Sequence, residues 1–432
     1  MASINGKANY FREGSLLNRM EISVVEYERR SSDYLKDPYV VYLVEARSTG
    51  QDIAGGECTL WRRYSDFELL HRYLTTTYPY LVMPALPEKR LNVSKFHIAT
   101  DKFDPEFLER RRLGLECFLL RLASHPLVSQ DSVFLAFLHD AEDWKEGVGG
   151  NQWKEKLDAR FKIIAQNVTN TVVSAGMTGV PRDERFEKMF KYGEFLEANI
   201  GAVLKVHGKM LGKTCSVLKQ HAGYATAFKV WATIETTEGA ALNNAAAHMD
   251  AFSVESTNQL KGEETAYLDQ LKEYLYMSTS LKNISQKHQS LQIRLANADE
   301  KLQTKRKQKE ELIKDIHAME GIGVEEGPPQ SPSRMHSLVS LVMGANQESL
   351  EDKQVKLLTV DGHVTEAEIV VKKTDQEVGE FVSNSLKDYE RFNRQKVRDV
   401  SEIMEHYVST QVNINRLGLQ QWKAIREAFL KL

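Results

Sequence analysis

The chain has 432 residues, 42% hydrophobic and 27% charged, with a formal net charge of −3. That length favours two or three domains and leaves ample material for a buried core. The near-neutral balance argues against nucleic-acid binding through overall charge, so any anionic partner has to meet local basic patches.

Residues 1–15 carry no apolar stretch of signal-peptide type and read as disordered. No apolar run approaches the roughly 18 residues a membrane-spanning helix needs, so membrane contact is expected from outside the bilayer. Cys58, Cys117 and Cys215 are scattered and odd in number. They fit a reducing cytosol rather than a disulfide framework or a zinc site. The sequons at Asn92, Asn167 and Asn283 are then chance matches.

Three apolar runs at short spacing, 20–29, 38–47 and 58–64, predict an antiparallel meander. The pattern turns helical at Ser65, which is placed to cap a helix over 66–77 with Glu68 completing the box. Met83-Pro84-Ala85-Leu86-Pro87 favours an extended stretch. Asp104-Pro105 opens another helix, ended by His125-Pro126, and a short helix over 131–138 closes a domain of about 120 residues.

Gly147, Gly149 and Gly150 mark a linker. Within it Trp153, Leu157, Phe161 and Ile164 share one face at helical spacing among lysines and arginines, as in a basic amphipathic helix. From 181 onward, three sets of apolar residues recur at three- and four-residue steps. They start at Phe186, Leu260 and Val378 and predict three very long helices, each on the order of 80–110 Å. Such helices must bury their stripes against one another and against a second chain. Residues 321–365, with their Pro and Gly clusters, read as a flexible loop in which Ser331 is a possible phosphorylation site.

The sharpest chemical signal is Arg62-Arg63-Tyr64-Ser65-Asp66-Phe67. Arginine presents a planar donor fork matching phosphate oxygens, and a tyrosine beside it can stack on a cyclic polyol. The start of the following helix adds positive potential. Arg110 and Arg112 read as solvated helix charges, and His207 and His288, set within apolar stripes, as packed histidines. Lys205, Lys209 and Lys213, with Lys301, Lys305, Arg306, Lys307 and Lys309, form basic stretches along the long helices.

Arg62–Phe67, Pro84–Lys89 and the Phe107–Glu116 stretch come in the order and spacing of PX domains, and the C-terminal half resembles BAR modules. The chain is identified as a member of the PX-BAR sorting nexins. The resemblance implies an α+β PX domain over 16–142, with a three-stranded antiparallel sheet and helices. A linker over 143–180 would follow, then an all-α elongated BAR domain over 181–432, a three-helix coiled coil.

It also implies a phosphoinositide pocket. Arg63 would hold the 3-phosphate of phosphatidylinositol 3-phosphate, Tyr64 stack on the inositol ring, Lys89 meet the 1-phosphate and Arg111 the 4- and 5-hydroxyls. Arg62 would orient or support the pocket. Leu81, Val82 and Met83 would be apolar tips for membrane insertion, and the Trp153–Ile164 face either a membrane wedge or a docking surface. Ala85 stands where the family loop has a second proline.

The expected partners are membranes carrying that lipid, cargo proteins, and a second copy or another sorting nexin, with no nucleic acid. The expected location is cytoplasmic, on the surface of early endosomes. No cofactor or metal is implied, and no P-loop, kinase set, nucleophile elbow or HExxH speaks for an enzyme. The rival reading is a coiled-coil scaffold whose PX-like domain binds protein rather than lipid.

Overall fold

Alternating apolar residues in the first 50 residues build two long strands, β1 (Met20–Ser32) and β2 (Leu35–Ser48), followed by β3 (Cys58–Arg63). They form a three-stranded antiparallel sheet in the order β1-β2-β3, as the spacing predicts. The computed structural model describes residues 15–32, 35–48, 58–88, 103–139, 144–147, 182–320 and 349–431. The face carrying Ile22, Val24, Tyr42, Val44 and Ala46 is buried. A register shift between Val24 and Tyr27 bends β1.

Helix α1 (Tyr64–Thr77) follows β3 directly and buries Phe67, Leu70 and Leu74. It starts two residues before the expected position. Arg63 is the N-cap and Ser65 already lies inside the helix. The Asp66 carboxylate takes the capping role by accepting from the Arg63 backbone N–H at 2.8 Å.

Helix α2 (Pro105–Ala123) has proline in its first turn and Asp104 as its cap, the Asp104 carboxylate accepting from Glu106 N–H at 2.9 Å. Helix α3 (Ser132–His139) and the single turn α4 (Trp144–Gly147) complete the layer. Trp144, two residues past the expected domain edge, is buried edge-on against Phe137 at 5.0 Å. One core unites the sheet face with Phe67, Leu115, Phe118, Phe134, Phe137 and Trp144.

The remaining described residues are almost all helical. Helix α5 (Glu184–Ala232) runs 49 residues, and a bend at 233–238 leads to α6 (Gly239–Glu263). The chain continues through a π-helical turn (Glu264–Asp269) into α7 (Gln270–Glu320). The second long helix therefore begins about twenty residues before Leu260, in an alanine-rich stretch whose small side chains gave little apolar signal. Helix α8 (Leu350–Leu430) has 81 residues. Its start places the expected loop end well before residue 365. Residues 321–348 lie outside the described set.

The described residues fall into two compact units. One takes those within Met1–Gln166, Glu184–Ser285 and Ser385–Leu432; the other takes those within Asn167–Asp183 and Gln286–Asn384. In the first, Leu211, Leu218, Leu260, Leu268, Leu271 and Ile403 join α5, α6, α7 and α8 in a common core. Ala225, Ala245, Ala246, Met249 and Ile425 form a tighter one, where alanines let the helix axes approach. In the second unit α7 and α8 run antiparallel, paired through Arg294–Glu377, Arg306–Glu368, Lys309–Asp361 and Lys353–Asp315. His207 is buried against Tyr267 at 4.8 Å and His288 against Phe381 at 6.5 Å, so both are packed as expected.

Candidate functional site

Period-two alternation on β3 sends Arg62 and Arg63 to opposite faces. Arg62 is 2% exposed. Its Nε and Nη2 donate to the Phe137 carbonyl at 3.1 and 2.7 Å, and the guanidinium lies over the Phe137 and Trp144 rings at 4.9 and 5.4 Å. Arg62 thus ties β3 to α3 from inside the core.

Arg63 is exposed, at the N-cap of α1, with its guanidinium 3.7 Å above the Tyr39 ring. Among the described residues no carboxylate pairs with its side chain. Tyr39, on β2 near Arg63 in the sheet, was not singled out from sequence; an aromatic one strand away carries no local signal.

Tyr64 is half-buried, and its hydroxyl donates to the Pro87 carbonyl at 2.6 Å. Burial first, and Glu68 next, push its pKa up to about 12, so it stays a neutral donor. Arg111, from α2, lies over the Tyr64 ring at 4.9 Å and the Phe107 ring at 4.2 Å. Its Nε donates to the Glu88 carbonyl at 3.3 Å and Nη1 to the Tyr42 hydroxyl at 3.4 Å. The site therefore brings Tyr64 and Arg111 together, with Arg63 adjoining in sequence. Lys89 lies outside the described residues, as do Trp153, Leu157, Phe161 and Ile164.

The Leu81–Met83 stretch differs from expectation. Leu81, Val82 and Met83 are all buried rather than forming exposed tips. Val82 N–H donates to the Asp388 carboxylate at 2.6 Å, and the Met83 carbonyl accepts from Ser280 at 3.4 Å. The apolar run packs where the N-terminal domain meets α7 and α8, removing from water the surface that would enter a bilayer.

Ion pairs continue that contact. Arg110 grips Asp269 with Nε and Nη2 at 2.8 and 2.6 Å, so it is not a solvated charge. Arg112 is also engaged, pairing with Glu109 at 2.6 Å and bonding the Val24 carbonyl. Arg121 bridges Glu273 and Asp399 at 2.7 and 2.8 Å. His125 Nε2 lies 3.0 Å from Asp388, which also accepts from Arg391 Nε at 2.7 Å. Burial alone would raise the Asp388 carboxyl, but Arg391 and His125 outweigh it and hold it below the ordinary range. Among the described residues no cluster of histidine, cysteine and acidic side chains is arranged to hold a metal.

An antiparallel meander backed by helices, with an arginine and a tyrosine at the β3–α1 junction and a second arginine over the tyrosine, defines a PX domain. Residues 53–141 match the family model described as "PX domain". The comparison extends along the helices. The chain is 35% identical over 423 residues to "Sorting nexin-4" of Homo sapiens and of Mus musculus, covering 96% of this chain and 88% of each relative. "Sorting nexin-4" of Colletotrichum higginsianum is 25% identical over 409 residues, covering 89% of this chain and 82% of the relative. The chain belongs to the sorting nexins, as a PX-BAR member similar to Sorting nexin-4.

Proposed function

We propose that this sorting nexin binds phosphatidylinositol 3-phosphate, with Arg63 on the 3-phosphate, Tyr64 against the inositol ring, Lys89 at the 1-phosphate and Arg111 at the ring hydroxyls. It acts in endosomal trafficking, at the cytoplasmic surface of early endosomes, in sorting and recycling cargo and in autophagy-linked transport. The observation that carries the reading is the exposed Arg63 fork, held over Tyr39 without a carboxylate among the described residues, beside a tyrosine already covered by Arg111. A guanidinium kept from carboxylates is available to a phosphate.

The membrane-bound form is a dimer, of two copies or with another sorting nexin. Exposed Val203, Val206, Met210, Val217 and Tyr224 on α5, and Val397, Val400, Met404, Val408, Val412 and Leu419 on α8, recur at three-, four- and seven-residue steps. Stripes of that spacing are what a partner helix covers. Two pockets on one dimer multiply a modest headgroup affinity. Lys205, Lys209, Lys213, Lys301 and Lys307 add attraction to an anionic surface. Arg306 and Lys309 contribute less, each facing a carboxylate of α8. The Trp153–Ile164 stretch supplies apolar contact in place of the buried Leu81–Met83 run.

Flotation on vesicles containing phosphatidylinositol 3-phosphate tests the reading. Arg63→Ala is expected to bind at least about tenfold more weakly than wild type at an unchanged melting temperature. Equal flotation of the two proteins overturns the lipid reading and leaves the scaffold whose PX domain binds protein.

A further inference from the structure

The Pro87–Glu88 segment is a junction between the pocket and the helices. On one side the Pro87 carbonyl accepts from Tyr64 Oη at 2.6 Å and the Glu88 carbonyl from Arg111 Nε at 3.3 Å. On the other side the Glu88 carboxylate accepts from Tyr276 Oη at 2.9 Å, with Lys272 Nζ at 3.6 Å. Both partners stand on α7, one turn apart.

Gly114 makes the junction possible. A Cβ at that position would lie 2.7 Å from Pro87 Cβ, so any other residue would push the segment away from α2. The Arg110–Asp269 pair ties α2, which carries Arg111, to the π-helical turn just before α7.

Glu88 poses an electrostatic difficulty. It is an acid whose own carbonyl touches Arg111, and a carboxylate competes with phosphate for the same guanidinium fork. Left unheld, its side chain could turn to Arg111 and fill the site from within. The helix prevents this by supplying a cation and a hydroxyl on the far side. Burial, ahead of the Glu88 charge, raises the Tyr276 phenol well above its ordinary value, so it stays a donor.

We propose that Tyr276 and Lys272 are positioning residues of the headgroup pocket. They draw the Glu88 carboxylate onto α7 and so fix the two carbonyls that orient Tyr64 and Arg111. The helical module is thereby part of the lipid-reading device, and headgroup binding is coupled to the seating of α7. The inference rests on the phosphoinositide reading above.

The test is calorimetric titration of the full chain with inositol 1,3-bisphosphate. Tyr276→Phe, which removes one hydroxyl, is expected to weaken binding about three- to tenfold. Ser280→Ala removes a bond from the same contact without touching the junction, and is expected to bind as wild type does. Glu88→Ala should weaken binding, and Glu88→Gln, which keeps an acceptor for Tyr276, should regain most of the loss. A Tyr276→Phe affinity no lower than that of Ser280→Ala overturns the proposal, as does failure of Glu88→Gln to regain affinity.

Loss of the lipid reading itself would show differently, as absence of titratable binding in wild type. The junction is then read without ligand, by a double-mutant cycle of Tyr276→Phe with Tyr64→Phe on melting temperature. Non-additive shifts support the coupling and additive ones overturn it.

Discussion

The N-terminal domain and the helical region solve the same burial problem to different degrees. In the first, Phe67, Phe118, Phe134 and Phe137 are fully enclosed, and the Arg63 guanidinium is left outside. In the second, the helices cover only part of their apolar surface: Phe195 is 67% exposed, Val206 59% and Trp422 47%. A domain whose core is closed can present a small polar site, whereas a helix face that stays apolar in water calls for a partner. Polar links join the regions beside the buried Leu81–Met83 run: Arg110 meets Asp269 of the π-helical turn, and Arg121 and His125 meet acids of α7 and α8.

The sharpest way to break this contrast is within the domain, at neighbouring arginines. Arg62→Ala removes a buried guanidinium and orphans the Phe137 carbonyl, and is expected to cost about 3 kcal/mol in a denaturant melt. Arg63→Ala should leave the melt unchanged and act on vesicle binding alone. Reversed roles, with Arg62→Ala stable and Arg63→Ala unfolding, would sink the assignment of one arginine to the core and the other to the lipid.

Next in size is the helical face. Val206→Glu combined with Met404→Glu places charges in both exposed stripes. It is expected to weaken self-association about a hundredfold, read by sedimentation equilibrium, while helicity by circular dichroism stays constant. A double variant that associates as wild type does would show that these stripes are not covered by a partner.

The effect smallest per step is a pH slope in the domain core. Burial, against a bond to the Pro84 backbone, lowers the His71 pKa from 6.5 to about 4. The unfolded chain therefore takes up a proton that the fold resists. Stability is complete above about pH 6.5 and falls as the pH drops toward 4, by up to about 1.4 kcal/mol per unit for one group. Burial lowers His125 as well, so it adds to the slope in the same direction. His71→Gln should flatten part of the slope in melts at pH 7, 6, 5 and 4. A slope identical to wild type would show that His71 is not the group resisting protonation.

Local chemistry made much of this legible. Alternation gave the meander, and Asp104-Pro105 marked the start of α2 to the residue. Arg63 and Tyr64 stood out because an arginine fork and a tyrosine at a strand–helix junction are residue types suited to a phosphorylated ring, whereas Arg111 entered only through the resemblance to PX domains. The same alternation separates Arg62 from Arg63, a signal present in the strand itself. The onset of α6 at Gly239 was hidden by alanines, which pack tightly but add little to an apolar pattern.

What the sequence determined by itself is what depends on near neighbours: strand and helix periods, caps, the residue types fit to meet a phosphate, and the apolar spacing of the long helices. Only the tertiary structure decided which apolar run faces water and which charge finds a partner. Leu81, Val82 and Met83 would suit a bilayer, yet Asp388, more than 300 positions away, receives Val82 N–H and they are buried. Glu88 meets Tyr276 for the same reason: burial and pairing are settled by distances in space, and a linear pattern holds no record of which distant segments will meet.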